Sequence, residues 1–215
     1  MFQKVAVMTV ILLSMMVLLG SCCGLMQSDE KNLLADGLTG WKQIEGQPGS
    51  WKFEDGVLYT EGGGAGWLST TQQYSDFWLE LEFRVPPGGN SGVFLRSPQK
   101  GNPAYEGIEI QILDDYAPRY ADLRPTQYTG SIYDVQPPAE RVSKKANEWQ
   151  KMNIQYIGPN VQIDLNGKTI ISTNLDEHRD KLDKHPGLLR TEGFIGFQNH
   201  GSRIEYRNIK IRKYK

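Results

Sequence analysis

Apolar and polar residues alternate along most of the chain. From Phe77 to Val85 (FWLELEFRV), Phe77, Leu79, Leu81 and Phe83 share one face while Trp78, Glu80, Glu82 and Arg84 share the other. Only a β-strand satisfies that period. Trp51 to Tyr59 (WKFEDGVLY) and Val161 to Ser172 (VQIDLNGKTIIS) each read as two short runs around Asp55-Gly56 and Asn166-Gly167. Such pairs tolerate the positive φ of tight hairpin turns. Further strands are predicted at Ser91 to Ser97, Tyr105 to Asp115, Trp149 to Ile157, Gly193 to Asn199 and Ile204 to Arg212, and the helical pattern is confined to a turn in Leu175 to Leu182. Many short strands punctuated by 23 glycines and 11 prolines predict an all-β domain, a sandwich of two curved antiparallel sheets. The concave face of such a sandwich gathers polar residues into a groove.

Strand parity then sorts the candidate chemistry. In YEGIEIQILDD (Tyr105 to Asp115), Ile108, Ile110 and Ile112 point into the core, so Glu109 and Gln111 point away from it, and a bulge or turn would bring Asp114 to their side. In Ser91 to Ser97, Val93 and Leu95 pair inward and leave Asn90, Gly92, Phe94 and Arg96 opposite. In GFIGFQNHG, Ile195 and Phe197 are inward while Gly196, Gln198 and His200 face out. Gly92 and Gly196 are expected to leave backbone room for a ligand. A single strand glutamate is ordinarily solvated, Arg96 could simply pair with it across the sheet, and His200 before Gly201 could be a turn residue. Gln111 and Gln198 are less readily explained as surface residues, because an amide is a poor strand former yet reads hydroxyl groups as both donor and acceptor.

The ends and the composition narrow the setting. Lys4, an uncharged apolar run from Val5 to Leu19 and the sequence Leu-Gly-Ser-Cys ending at Cys22 resemble a bacterial lipoprotein signal. The expectation is a signal peptide over residues 1–21, lipidation at Cys22, a polar tether over 22–32 and one domain over 33–215. The product would be exported and held to a membrane by its lipid. Cys22 and Cys23 are the only cysteines, so the domain has neither a disulfide framework nor thiolate metal ligands. Loss of residues 1–21 removes Lys4 and no acid, leaving 23 basic against 25 acidic residues. That balance gives no basis for nucleic-acid binding.

Several segments together resemble a known family: GGNSGVFLRS (Gly88 to Ser97), YEGIEIQILDD, QYTGSIYDVQPP (Gln127 to Pro138), NEWQKMNI (Asn147 to Ile154), VQIDLNG, GFIGFQNHGS and IEYRNIKI. They are similar to the 3-keto-disaccharide hydrolase domain, from about Leu33 to the C-terminus. The resemblance implies a concanavalin A-like jelly roll, and cleavage of glycosidic bonds in sugars already oxidised at carbon 3. The β-glucanases of that fold carry Glu-x-Asp-x-x-Glu where this chain has Glu109-x-Gln111-x-x-Asp114. Retaining hydrolysis needs two carboxyl groups roughly 5 Å apart, and the central amide and shorter Asp114 fit it poorly.

A ketone at carbon 3 makes another route available, because it acidifies the proton on carbon 2 and lets the carbon 1 substituent leave by elimination. On this resemblance Glu109 or His200 is the expected base, Arg96 and Gln111 surround the ketone or its enolate, and Asp114 is the candidate acid. Gln198, Asn90 and Tyr133 are expected to bind substrate, with Trp67, Tyr116 and Tyr128 as further stacking surfaces. No cofactor is required, although Glu109, Asp114 and His200 could hold a divalent metal. A carbohydrate-binding module of the same fold and a laminin G-like adhesion module are the competing readings. The lectin reading gives an ionisable cluster nothing to do, and burial of Glu109 and Arg96 away from a groove would favour the adhesion module.

Overall fold

The computed structural model describes residues 30–214, so the lipidation signal expected at Cys22 lies outside the described residues. Thirteen strands make up the fold: β1 (Lys31–Asn32), β2 (Trp41–Ile44), β3 (Trp51–Glu54), β4 (Val57–Thr60), β5 (Trp67–Thr70), β6 (Phe77–Arg84), β7 (Asn90–Ser97), β8 (Ile108–Leu113), β9 (Gln150–Ile157), β10 (Asn160–Leu165), β11 (Lys168–Asn174), β12 (Phe194–Gln198) and β13 (Glu205–Lys213). They form two antiparallel sheets in the expected jelly-roll sandwich. The eight-stranded sheet runs β11-β10-β9-β6-β13-β4-β3 with β1 also paired to β13, and the five-stranded sheet runs β2-β5-β12-β7-β8. Lys31 and Asn32, read from sequence as tether, are paired with Ile211 and Lys210.

The alternation becomes the core. Phe77, Leu79, Leu81 and Phe83 of β6 are fully buried against Val93, Leu95, Ile110, Ile112, Ile195 and Phe197 of the other sheet. Each such side chain contributes roughly 1.5–3 kcal/mol by leaving water. Both hairpins form where positive φ was expected, with Asp55 and Gly56 at 51° and 78° and Asn166 and Gly167 at 52° and 85°. These angles match the right-handed twist of the flanking strands.

Three departures from regular pairing shape the functional face. Between Phe194 and Gly196 the β7–β12 register shifts, and Arg96 takes a φ of 47°. Such a bulge inserts one residue and reverses side-chain parity beyond it. After β8, the segment around Ile132 extends the five-stranded sheet: Tyr133 donates its backbone N–H to the Glu109 carbonyl (2.9 Å) and Gln111 donates to the Ser131 carbonyl (3.0 Å). A short helix, α1 (Pro103–Glu106), is capped by Asn102 and lays Ala104 over Trp67 and Phe94.

Candidate functional site

The register assembles the outer face of the five-stranded sheet. Lys42, Ser69, Gly196, Phe94 and Glu109 are successive cross-strand partners, and Tyr133 follows them at the added edge. One step along on the same face, Ile44, Trp67 and Gln198 are cross-strand partners toward β2, and Gly92 pairs with Gln111 toward β8. A hollow of about 300 Å³ opens over part of this face, lined by Trp67, Phe94, Asn102, Gln198 and His200 among others; Glu109, Gln111 and Tyr133 do not line it, and Glu109 lies buried on the far side of its cross-strand partner Phe94. Trp67 meets Phe94 edge-on with ring centroids 5.4 Å apart, an apolar floor beside amide and imidazole groups.

Glu109 has the most perturbed environment here. It is 3% exposed, and burial together with the charge of Asp134 pushes its carboxyl up to about 8. Desolvation and that like charge act together on the carboxylate, which accepts no hydrogen bond from the described residues. The carboxyl rests on Gly92, where an added Cβ would come within 2.0 Å of Oε1. Gly196 does the same for Trp67, whose ring would meet a Cβ at 2.3 Å. The two glycines therefore make room for the chain's own Glu109 and Trp67, and not directly for a ligand as the sequence suggested.

Gln111 is oriented by its neighbours. Its Oε1 accepts the Ile112 backbone N–H at 2.9 Å, so the Nε2 group is the end left to donate. Tyr133 receives a hydrogen bond from Gln127 Nε2 at 3.1 Å, which leaves its own hydroxyl proton free. Burial, then the charges of Asp134 and Glu109 and the neighbouring Tyr105, hold its pKa above the ordinary tyrosine value against the opposing Gln127 hydrogen bond.

His200 stands at the rim, exposed in the turn after β12, and partial desolvation in the hollow's wall lowers its pKa. Gln198 lines the same hollow. Asn90 shares the face of Gly92, and its Oδ1 is buried without a hydrogen-bond partner.

Two candidates are corrected. Arg96 does not share the Glu109 face, because the bulge sends its guanidinium inward over Tyr156, 3.4 Å from the ring centroid. There it is 2% exposed and donates to the carbonyls of Ser75 (2.8 Å), Gly158 (2.8 Å) and Arg190 (3.0 Å) and to Asp76 (2.9 Å). It is a structural clamp. Asp114 spends both oxygens on backbone donors, Gly88 N (2.9 Å) and Tyr116 N (3.2 Å), tying two loops together. Its neighbour Asp115 binds Thr129 and Ser143 and anchors the long loop in the same way. Among the described residues no three His, Cys, Asp or Glu side chains approach closely enough to share a metal ion, so Glu109, Asp114 and His200 do not converge as ligands.

Other residues enter the site without having been singled out. Tyr105 of α1 lies 6.5 Å from Tyr133 and 4.9 Å from His185 between ring centroids. His185 is 2% exposed, its Nε2 has no partner, and burial followed by Lys184 lowers its pKa. Asp134, at a φ of 58°, is bridged by Arg124 (2.6 Å) and Lys184 (2.7 Å). Burial pushes Asp134 up, but those two cations outweigh it and hold it below the usual carboxylate range. Only Tyr105 and Asp134, which lie within the quoted motifs, carried any sequence signal. His185 sits in an aperiodic segment that offered none.

Comparison with known proteins agrees with this architecture. A curated relative from Bacteroides thetaiotaomicron, named 3-keto-disaccharide hydrolase, is 29% identical over 82% of this chain and 76% of its own length. A crystal structure of a provisionally named glycosyl hydrolase from Parabacteroides distasonis is 30% identical, with a TM-score of 0.77 over 87% of this chain and 100% of that one. Peanut lectin shares the fold alone, with a TM-score of 0.52 at 12% identity over 86% of this chain and 95% of the lectin. The sequence profile of the 3-keto-alpha-glucoside-1,2-lyase-like domain matches residues 30–212, and the chain belongs to that family.

Proposed function

We propose that this protein cleaves the glycosidic bond of 3-keto disaccharides or related 3-keto glycosides by elimination followed by addition of water, and that it does so outside the cytoplasm, tethered through Cys22. The relative's name and the family description support the substrate class. The observation that carries the chemistry is Glu109, a desolvated carboxyl raised to about 8 on a face that otherwise offers amides, aromatics and imidazole. A base of that strength is better matched to a proton beside a ketone than an ordinary carboxylate is.

In this reading the ionised fraction of Glu109 removes the proton on carbon 2, and the electron pair moves toward the ketone oxygen. Gln111 Nε2 donates to the developing enolate oxygen. Collapse of the enolate expels the oxygen on carbon 1, which takes a proton from the free hydroxyl of Tyr133 or from the newly protonated Glu109. Water then adds to carbon 1 of the resulting unsaturated ketone and carbon 2 regains a proton, so the net change is hydrolysis. Trp67, Phe94, Gln198 and His200 hold the remainder of the substrate.

The test is to incubate the protein with 3-keto-trehalose, 3-keto-sucrose and unoxidised trehalose, with and without a chelator. Release of free sugar from the keto substrates alone, abolished by Glu109→Gln, is expected. Binding of every sugar with turnover of none would select the noncatalytic binding module instead.

A further inference from the structure

The outer face of the eight-stranded sheet divides into two chemically different halves. On β6, β9, β13 and β4, ions supply solubility: Arg207 bridges Glu82 (2.7 Å), Lys151 bridges Glu80 (2.6 Å), and Arg84 bridges Glu205. Trp149 lies under Arg84 and Arg207, 4.8 and 4.0 Å from its ring centroid. Beyond Trp78 the pattern changes. The register sets Arg212, Trp78, Gln155, Gln162 and Ser172 side by side across β13, β6, β9, β10 and β11, and from Gln155 onward each member is an amide or hydroxyl.

Around that end of the row is a hollow of about 590 Å³, walled by Gln155, Asn160, Gln162, Ser172, Thr173 and Asn174, with Ile157 on its floor. Exposed Glu177 at the rim is the only ionisable side chain lining it among the described residues. The amides have defined orientations. Gln155 Nε2 donates to the Tyr214 hydroxyl (3.0 Å) and Gln162 Nε2 to Asp164 (3.2 Å), leaving both Oε1 atoms as acceptors without a partner in the described chain. On the same face, Asn153 Oδ1 and Arg212 Nε are buried and unpartnered.

Amides are poor strand formers, and the neighbouring half of the sheet shows how this surface is kept soluble without them. Their value lies in reading hydroxyl groups. Adjacent strands are about 4.8 Å apart, so Gln155, Gln162 and Ser172 recur on the scale of one pyranose ring. An anionic ligand finds no cationic side chain lining the hollow among the described residues, and amide and hydroxyl groups make up most of its wall.

We propose that this hollow is a second carbohydrate site, taking an internal stretch of a neutral glycan chain on the sheet opposite the one carrying Glu109. The proposal does not rest on the catalytic reading of Glu109. It would let the domain dwell on a polymer while the other face handles small sugars.

The test is native affinity electrophoresis of the full-length protein through gels containing laminarin, lichenan, dextran, xyloglucan or, as the acidic control, polygalacturonate. Retardation by at least one neutral polysaccharide is expected, about tenfold weaker in Gln155→Ala/Gln162→Ala and unchanged in Glu109→Gln. Ser172→Lys, at an exposed position, adds bulk and charge without touching the core and should weaken retardation equally should the double variant fold poorly. Absence of retardation in every neutral gel, retardation by polygalacturonate alone, or wild-type retardation of the Ser172→Lys variant would overturn the proposal.

Discussion

Glu109→Gln separates a carboxyl held for chemistry from one held for structure. The unfolded chain binds the Glu109 proton with a value near 4.5 and the folded chain near 8. A raised acid is a stability contribution present below the unfolded value and lost as pH rises through the folded one. Over the full interval the loss is about 5 kcal/mol, and between about pH 5 and about pH 9 it is about 4 kcal/mol. Glutamine has nearly the same shape and does not titrate, so every other group cancels when variant and wild type are compared. Urea unfolding across that pH range should therefore show the variant gaining on the wild type by about 4 kcal/mol, or about 2 M in midpoint for a slope of about 2 kcal/mol per M. Activity should be lost in the same variant. Parallel stability curves, with the difference constant to within about 0.5 kcal/mol, would show that Glu109 titrates as a solvated carboxylate, and the argument from desolvation would fail.

Three further outcomes follow from the same geometry. Gly92→Ala places a methyl group where the Glu109 carboxyl rests, so kcat on a keto substrate should fall at least about tenfold while the melting temperature changes little, as activity and thermal scans would show. Arg96→Ala leaves the carbonyls of Ser75, Gly158 and Arg190 without the buried guanidinium donor and Asp76 without its ion pair, and should cost about 1–3 kcal/mol in chemical denaturation, with Arg96→Lys recovering only part because an ammonium cannot span all four acceptors. Asp134→Asn removes the like charge that acts with burial on Glu109, so the rising limb of the pH–rate profile should move to lower pH; a shift upward or none would refute the coupling.

The sandwich was legible in residue order because alternation is a local property: successive Cβ atoms leave a strand on opposite faces whatever lies around it. That rule alone sorted Ile108, Ile110 and Ile112 from Glu109 and Gln111, and the turn chemistry of Asp55-Gly56 and Asn166-Gly167 located two hairpins. Strands β2 and β5 went unread because four residues are too few to establish a period, whereas β3 and β4, equally short, were marked by the Asp55-Gly56 turn between them.

Position in space was decided by pairings between distant segments. Arg96 passed the parity test and still left the site, because a one-residue bulge against β12 reverses everything after it. Asp114 stands close to Glu109 in sequence, yet loop closure commits it to the backbone of Gly88 and Tyr116. Gly92 and Gly196 were visible as absences of side chain, but only the register shows that Glu109 and Trp67 fill those absences. The elevated proton affinity of Glu109 was equally invisible, since it arises from burial and from Asp134 carried in by a loop. The sequence alone thus determined the strands and the face on which each side chain emerges, because those follow from local backbone sterics. Which side chains share a hollow, and with what proton affinity, was decided by tertiary structure, because bulges, loop closure and desolvation depend on residues far away along the chain.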